Sequence, residues 1–346
     1  MSRLSKIKKG FYTWPVGYPV SIALVSFCTK TSPLVSSKIV NFIFLGLLFI
    51  LLYNWHGKKA WFLALSFFSY GSLEVISETW SETPFIFFVF LLAYTITKSE
   101  NYSPFRSSIT LTICLIFLFL FRYVGVIYIF IVALYGLKYF LNGVRKLSYS
   151  YFAAIVASSI FSLWYLYDNK LSSGYLTGTQ RIHLGYQTFF EFTKLLFQAL
   201  FNEINVARNY NFNNENLDFL FVSSIIIQSF TIFLLVKKRS YLNRPLKLNS
   251  GAKALLNISV GYLVGIVLLK IIIPFDNFDF RILFPFTSPL FIMALAVISN
   301  SSQREYFKKT YRIIVLFMLI SFMWNLPKKY ILNKIKHVQL TMNQAF

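Results

Sequence analysis

The run "LTICLIFLFLFRYVGVIYIFIVALYGL" (111–137) carries a single charge, Arg122, and no acidic residue occurs between Glu100 and Asp168. An arginine holds its charge at any relevant pH and offers a planar fork of donors suited to a phosphate or a carboxylate. A second arginine, Arg281, lies in "PFDNFDFRILFPFTSP" (274–289), just after Asp276 and Asp279 and just before an apolar run. Two arginines converging on one cavity would form a phosphate clamp. The plainer alternatives are internal pairing of Asp279 with Arg281 and simple flanking of a helix.

Acids are scarce: twelve in 346 residues. Three of them, Glu74, Glu78 and Glu82, enter an apolar run in "SLEVISETWSETPFIFF" (72–88). Their i,i+4 spacing puts them on one face of a continuous helix. A carboxylate at a membrane boundary points to function, and an acidic helix start is the ordinary alternative. In "KGFYTWPVGYP" (9–19), Pro15 and Pro19 fix the backbone, while Tyr12, Trp14 and Tyr18 suit a headgroup-level belt. In "SSGYLTGTQRIHLGYQTF" (172–189), Arg181 and His183 are the polar groups placed to meet a ligand, although an ordered loop packed on the rest of the chain explains them equally well. The stretch is glycine-punctuated but is no P-loop. There is no GxSxG and no HExxH. His56, His183 and His337 lie far apart, and no metal-ligand spacing exists. Cys28 and Cys114 form no CxxC and read as buried free thiols.

The elements that must position these groups are membrane spans. The chain is 56% hydrophobic and only 13% charged, with 40 Phe and 22 Tyr and a mean hydropathy of +0.59. Soluble domains are normally about a quarter charged. The net charge of +22 does not imply nucleic acid as a partner, because the basic residues cluster in short segments between apolar runs. The pattern predicts an all-α polytopic transmembrane bundle. Its ten spans fall at about 36–55, 59–77, 83–97, 107–121, 123–141, 148–167, 217–236, 254–273, 282–299 and 311–326. One integral membrane domain covers 1–346, with 1–35 as an interfacial segment on the outer face and 168–216 as an extracytoplasmic loop. By the positive-inside rule, 56–59, 98–106, 142–146, 237–253 and 300–312 are cytoplasmic. The 107–141 run is too long for one span and suits two, so Arg122 sits at the tip of a hairpin on the opposite side.

In order, these stretches resemble the GT-C class of membrane glycosyltransferases, near the bacterial dolichyl-phosphate-mannose-type and lipid A aminoarabinose-type enzymes. The resemblance rests on Trp14–Leu24 and on an "SE" entering a span (Ser81–Glu82 or Ser77–Glu78). Arg122–Gly125 at a hairpin top, Thr177–Arg181 in an outer loop, and Asp279, Arg281, Leu283, Pro285 and Pro289 in a late span complete it. It implies a protein of the bacterial cytoplasmic membrane that moves a sugar from a polyprenyl-phosphate donor to a glycan, lipid or protein acceptor. It further implies substrate contacts from Arg122, Arg281, Asp279, Arg181, Tyr18 and Trp14, with Glu78 or Glu82 in the catalytic role. No cofactor is evident, and a divalent cation has no visible site. The family carries its catalytic acid in an outer loop after a first helix, whereas no acid here precedes Glu74. The expectation is therefore a chain truncated at its start or not competent as given. The competing classes are a lipid-linked saccharide transporter or flippase and a non-catalytic membrane subunit.

Overall fold

A computed structural model describes residues 14–177, 188–208, 219–238, 248–272, 275, 278–299 and 304–325. Asp276, Arg181 and His183, together with Tyr12, lie outside these residues. The described residues are helical, with no strand among them. In chain order the helices are α1 (Gly17–Thr29), α2 (Pro33–His56), α3 (Ala60–Leu63), α4 (Tyr70–Ser77), α5 (Glu82–Lys98) and α6 (Pro104–Phe121). They continue with α7 (Ile127–Leu141), α8 (Arg145–Ser173), α9 (Phe189–Ile204), α10 (Phe219–Lys238), α11 (Ser250–Ile272), α12 (Phe280–Ser299) and α13 (Arg304–Asn325).

Six helical runs are long and apolar enough to cross a membrane: Pro33–Phe68, α6, Tyr123–Leu141, α8, α11 and α12. A seventh forms if α4 and α5, bent by 119° at their junction, are taken as one span. Large apolar side chains such as Phe130, Leu134, Ile160 and Leu163 face outward. Water would be a poor solvent for that surface, and lipid is a good one. The chain is an integral membrane protein. Of the ten expected spans, the described residues show six or seven by length and composition. The 59–77 stretch is not one span but a series of short turns broken at 57–59 and 64–68. It still carries the chain from one end to the other: Phe62 packs on Phe307, and Phe68 on Phe322 at the far end of α13. The apolar part of α10, Phe221–Lys237, is short. The first turns of α13 carry Lys308, Lys309 and Arg312, and that helix is not among the six.

The interior is built on α5 and α12. Nearly every side chain of α5 from Glu82 to Ala93 is buried, and 67% of the apolar window of α12 is. Helices α6 and α7 form the predicted hairpin and pack together on α8. Helix α11 runs antiparallel to α7, with Gly261 against Ile131 and Gly265 against Ile127. Small residues at such a face let two helices approach closely where lipid offers no hydrophobic drive. Lys98, Arg106, Lys138 and Arg145 sit at the α5–α6 and α7–α8 connections, at one end of the bundle. The hairpin tip and the starts of α5 and α12 lie at the other. Both cysteines are free, but only Cys114 is buried, and Cys28 lies on the open face of α1.

The hairpin tip is tightly closed. The Gly125 N–H donates to the Arg122 carbonyl at 2.8 Å, and a Cβ on Gly125 would stand 2.3 Å from the Leu118 carbonyl oxygen. That neighbour is backbone, so it cannot rotate away. Gly46 has nothing within 4 Å of its Cβ position. Gly125→Ala is therefore expected to destabilise the protein by about 1–3 kcal/mol, as overpacking does, and Gly46→Ala to leave it unchanged. Thermal unfolding in detergent compares the two, and equal midpoints would contradict this packing.

Candidate functional site

Three helix ends converge on one carboxylate. Glu82 opens α5, Arg122 closes α6, and Arg281 lies in the first turn of α12. Glu82 Oε1 stands 3.0 Å from Arg122 Nη1 and 3.0 Å from Arg281 Nε. The Arg281 Nε is not aligned for a hydrogen bond, so that contact is electrostatic. The side chains are 2%, 12% and 28% exposed for Glu82, Arg122 and Arg281, which makes Arg281 the outward-facing member. Glu82 Oε2 is buried and has no hydrogen-bond partner among the described residues. The arginine without an acid near it in sequence thus pairs with one forty positions away.

The local backbone explains how Arg122 is held. Pro285 has no N–H, so the carbonyl four residues earlier, that of Arg281, loses its helical donor. Arg122 Nη1 donates to that carbonyl at 3.0 Å. The next carbonyl, that of Ile282, accepts from the Tyr262 hydroxyl at 2.9 Å. Asp279 does not pair with Arg281. Its Oδ1 accepts the Ile282 N–H at 2.9 Å and so caps α12, which is the helix-flanking role left open by the sequence.

Aromatic rings wall the cluster. The Arg281 guanidinium lies 5.5 Å from the Trp80 ring and 6.0 Å from that of Trp14. Arg122 lies 5.7 Å from Phe85. Tyr18 is buried beside it and donates to Asn41 Oδ1 at 3.1 Å. The Val16 N–H meets the Tyr165 hydroxyl of α8 at 3.3 Å, which ties the 14–16 segment to the bundle. Helix α11 continues seven residues beyond Gly265, the residue level with the start of α7. That is about 10 Å of helix, so α11 extends past the start of α7.

No family model, curated protein or solved structure matches this chain.

Among the sequence candidates, Glu82, Arg122, Arg281, Asp279, Tyr18 and Trp14 come together. Glu78 does not. The α4 helix ends at Ser77, and Glu78 is extended and exposed, so the i,i+4 argument fails: no continuous helix joins 78 to 82. Glu74 remains half-buried on α4. The residue missed in the sequence is Asn41. Its Nδ2 donates to the Ile76 and Glu78 carbonyls at 3.3 and 2.9 Å, which are groups freed by the break. Ser37 reaches Thr79 at 3.0 Å, and Lys38 donates to the Ser77 carbonyl. A broken helix at membrane depth must have its freed backbone groups satisfied by protein. The signal was the polar trio Ser37, Lys38 and Asn41 in an apolar span. Among the described residues, no group of three or more His, Cys, Asp or Glu could hold a metal.

Removing one partner of a buried ion pair leaves the other charge uncompensated. Glu82→Ala is expected to destabilise the protein by about 3–5 kcal/mol, with partial recovery when Arg122→Met is added. A double-mutant cycle on thermal stability measures the coupling, and additive effects would show that the pair is not formed. Pro285→Ala should return an N–H to the Arg281 carbonyl and loosen Arg122. Phenylglyoxal should then modify Arg122 faster relative to Arg106, and an unchanged ratio would show that the carbonyl does not hold Arg122.

Proposed function

We propose that this chain binds the phosphate of a polyprenyl-phosphate-linked sugar at Arg122 and Arg281, and that it is a GT-C-type glycosyltransferase of the bacterial cytoplasmic membrane. One observation carries the reading: two guanidiniums share a single carboxylate oxygen at the bundle end away from the basic loops. Each guanidinium has five N–H donors, more than these contacts use, and Arg281 is open on one side. A lipid-linked phosphate could reach it with its tail in the bilayer. Trp14 and Trp80 offer flat faces for a sugar ring. The orphan oxygen of Glu82 suits a sugar hydroxyl as donor. The finer ten-span topology and the catalytic role of Glu82 belong to this same proposal. In it, Glu82 orients the sugar while the arginines stabilise charge developing on the departing phosphate.

The 119° break between α4 and α5 favours a second reading, a transporter of lipid-linked saccharide, because broken helices are common at transporter sites. Transfer of sugar to an acceptor supports the first reading. Movement of intact donor across a vesicle bilayer supports the second.

Charge-assisted hydrogen bonds contribute on the order of 1.5–3 kcal/mol each. Arg122→Lys keeps the charge and loses the fork, so it should weaken donor binding by about tenfold, and Arg122→Ala should weaken it further. The measurement is binding of a polyprenyl-phosphate sugar to the full chain in nanodiscs, with the unphosphorylated polyprenol as control. Equal binding by Arg122→Ala and the parent would reduce Arg122 to a structural residue.

A further inference from the structure

Helix α9 is amphipathic and begins with a capping box: the Thr188 hydroxyl accepts the Glu191 N–H, and Glu191 accepts the Thr188 N–H. Its last turn dips between α4 and α12 and carries Glu203, which is 8% exposed. The Thr287 hydroxyl of α12 donates to Glu203 Oε2 at 2.9 Å. A Cβ on Gly71 of α4 would lie 3.6 Å from Oε1. A small cavity beside the carboxyl is lined by Ser69, Tyr70, Gly71, Asn205 and Phe284, among others. Among the described residues, no basic side chain pairs with Glu203.

A carboxylate so enclosed, with one neutral hydroxyl and no cation, is strongly disfavoured over the neutral acid. The proposed donor site does not use Glu203. Glu203 faces α12 at Phe284 and Thr287, about one to two turns along the helix from Arg281.

We propose that Glu203 is a proton-binding site: as the neutral acid it stays buried between α4 and α12 and keeps the end of α9 seated, whereas the ionised carboxylate, whose burial the single Thr287 hydrogen bond only partly offsets, leaves the site and frees that end.

The surroundings agree. Burial pushes the Glu203 carboxyl up to about 8, the negative charge of Asp279 at the start of α12 pushes the same way, and the Thr287 hydrogen bond opposes both. From α4, the facing titratable groups are Tyr70 and, behind it, Glu74, with Arg208 acting on Tyr70. From α10 and α13 the neighbouring side chains are Ser224, Gln228, Ser321 and Asn325, none of which titrates. What this seating controls is a knot of hydrogen bonds just past Glu203. The Val206 carbonyl accepts from the Tyr70 N–H at 2.8 Å and from Ser321 at 3.3 Å. The Ile204 carbonyl accepts from Gln228 at 2.9 Å, and the Ala207 carbonyl from Asn325 at 2.7 Å. One carboxyl therefore sits where α4, α9, α10, α12 and α13 meet.

The sign follows from linkage. The folded chain keeps a proton that the unfolded chain releases between the ordinary value of 4.5 and about 8. This contribution to stability is full below 4.5 and declines as pH rises through that window. Above about 8, each further pH unit should raise opening of the α9 contact by about tenfold.

Two measurements on the full chain in nanodiscs test this. Infrared titration of wild type against Glu203→Gln should show a protonated-carboxyl band in wild type alone, lost near pH 8. Hydrogen exchange across 199–207, corrected for intrinsic rate, should accelerate above that pH in wild type. It should stay flat in Glu203→Gln, which mimics the neutral acid. A missing band at pH 6 overturns the proton site. A band that titrates while exchange stays flat overturns the release of α9. Neither result bears on donor binding at Arg122, which is assayed separately.

Discussion

A single carboxylate oxygen, Glu82 Oε1, organises the bundle end that holds the candidate site. Ions in apolar surroundings persist only when paired. Arg122 at the α6–α7 tip and Arg281 at the start of α12 have no nearer described carboxylate partner, so both ends are drawn to the start of α5. That requirement fixes three connections at once. It also brings the start of α12 against the start of α5.

The second constraint is on the backbone. No water reaches the hydrocarbon to satisfy a free carbonyl or amide. The chain breaks its helical pattern at 78–81 and at Pro285, and in both places a side chain from another helix supplies the missing bond. Asn41, Ser37 and Lys38 serve the first break, and Arg122 serves the second. The irregular backbone and the charge cluster are thus one arrangement: the proline that interrupts α12 creates the acceptor that orients the arginine. The hairpin tip can come this close only because residue 125 lacks a side chain.

Much was legible in the residues themselves. The apolar runs announced a membrane bundle, because nothing else accommodates so much Phe and Leu with so little charge. The length of 107–141 showed a hairpin with Arg122 at its tip. The order of basic loops separated the two ends. Glu82, Arg281, Tyr18 and Trp14 were singled out by type and position. Less legible were the broken pieces of 57–77, because hydropathy averages over a window and does not register short turns. The Gly261 and Gly265 face was also passed over, since its meaning depends on which helix lies opposite. Glu203 fell in a stretch read as an extracytoplasmic loop, and its burial depends on α12 lying against it.

The sequence alone determined the solvent, the helical class and the roster of charged side chains, since these follow from composition and from distances along the chain. Which charges pair was decided only by the tertiary structure. Arg122 and Glu82 are forty residues apart and Arg122 and Arg281 are 159 apart, and no local pattern encodes such distances. The same holds for Glu78 and Glu82, four residues apart and still separated. A helix puts them on one face only if it is continuous, and continuity at 78–81 depended on whether α2 could satisfy the broken backbone. The physical reason is common to both cases: a buried polar group takes its partner from whatever packing brings within about 3 Å, and packing is a property of the whole chain.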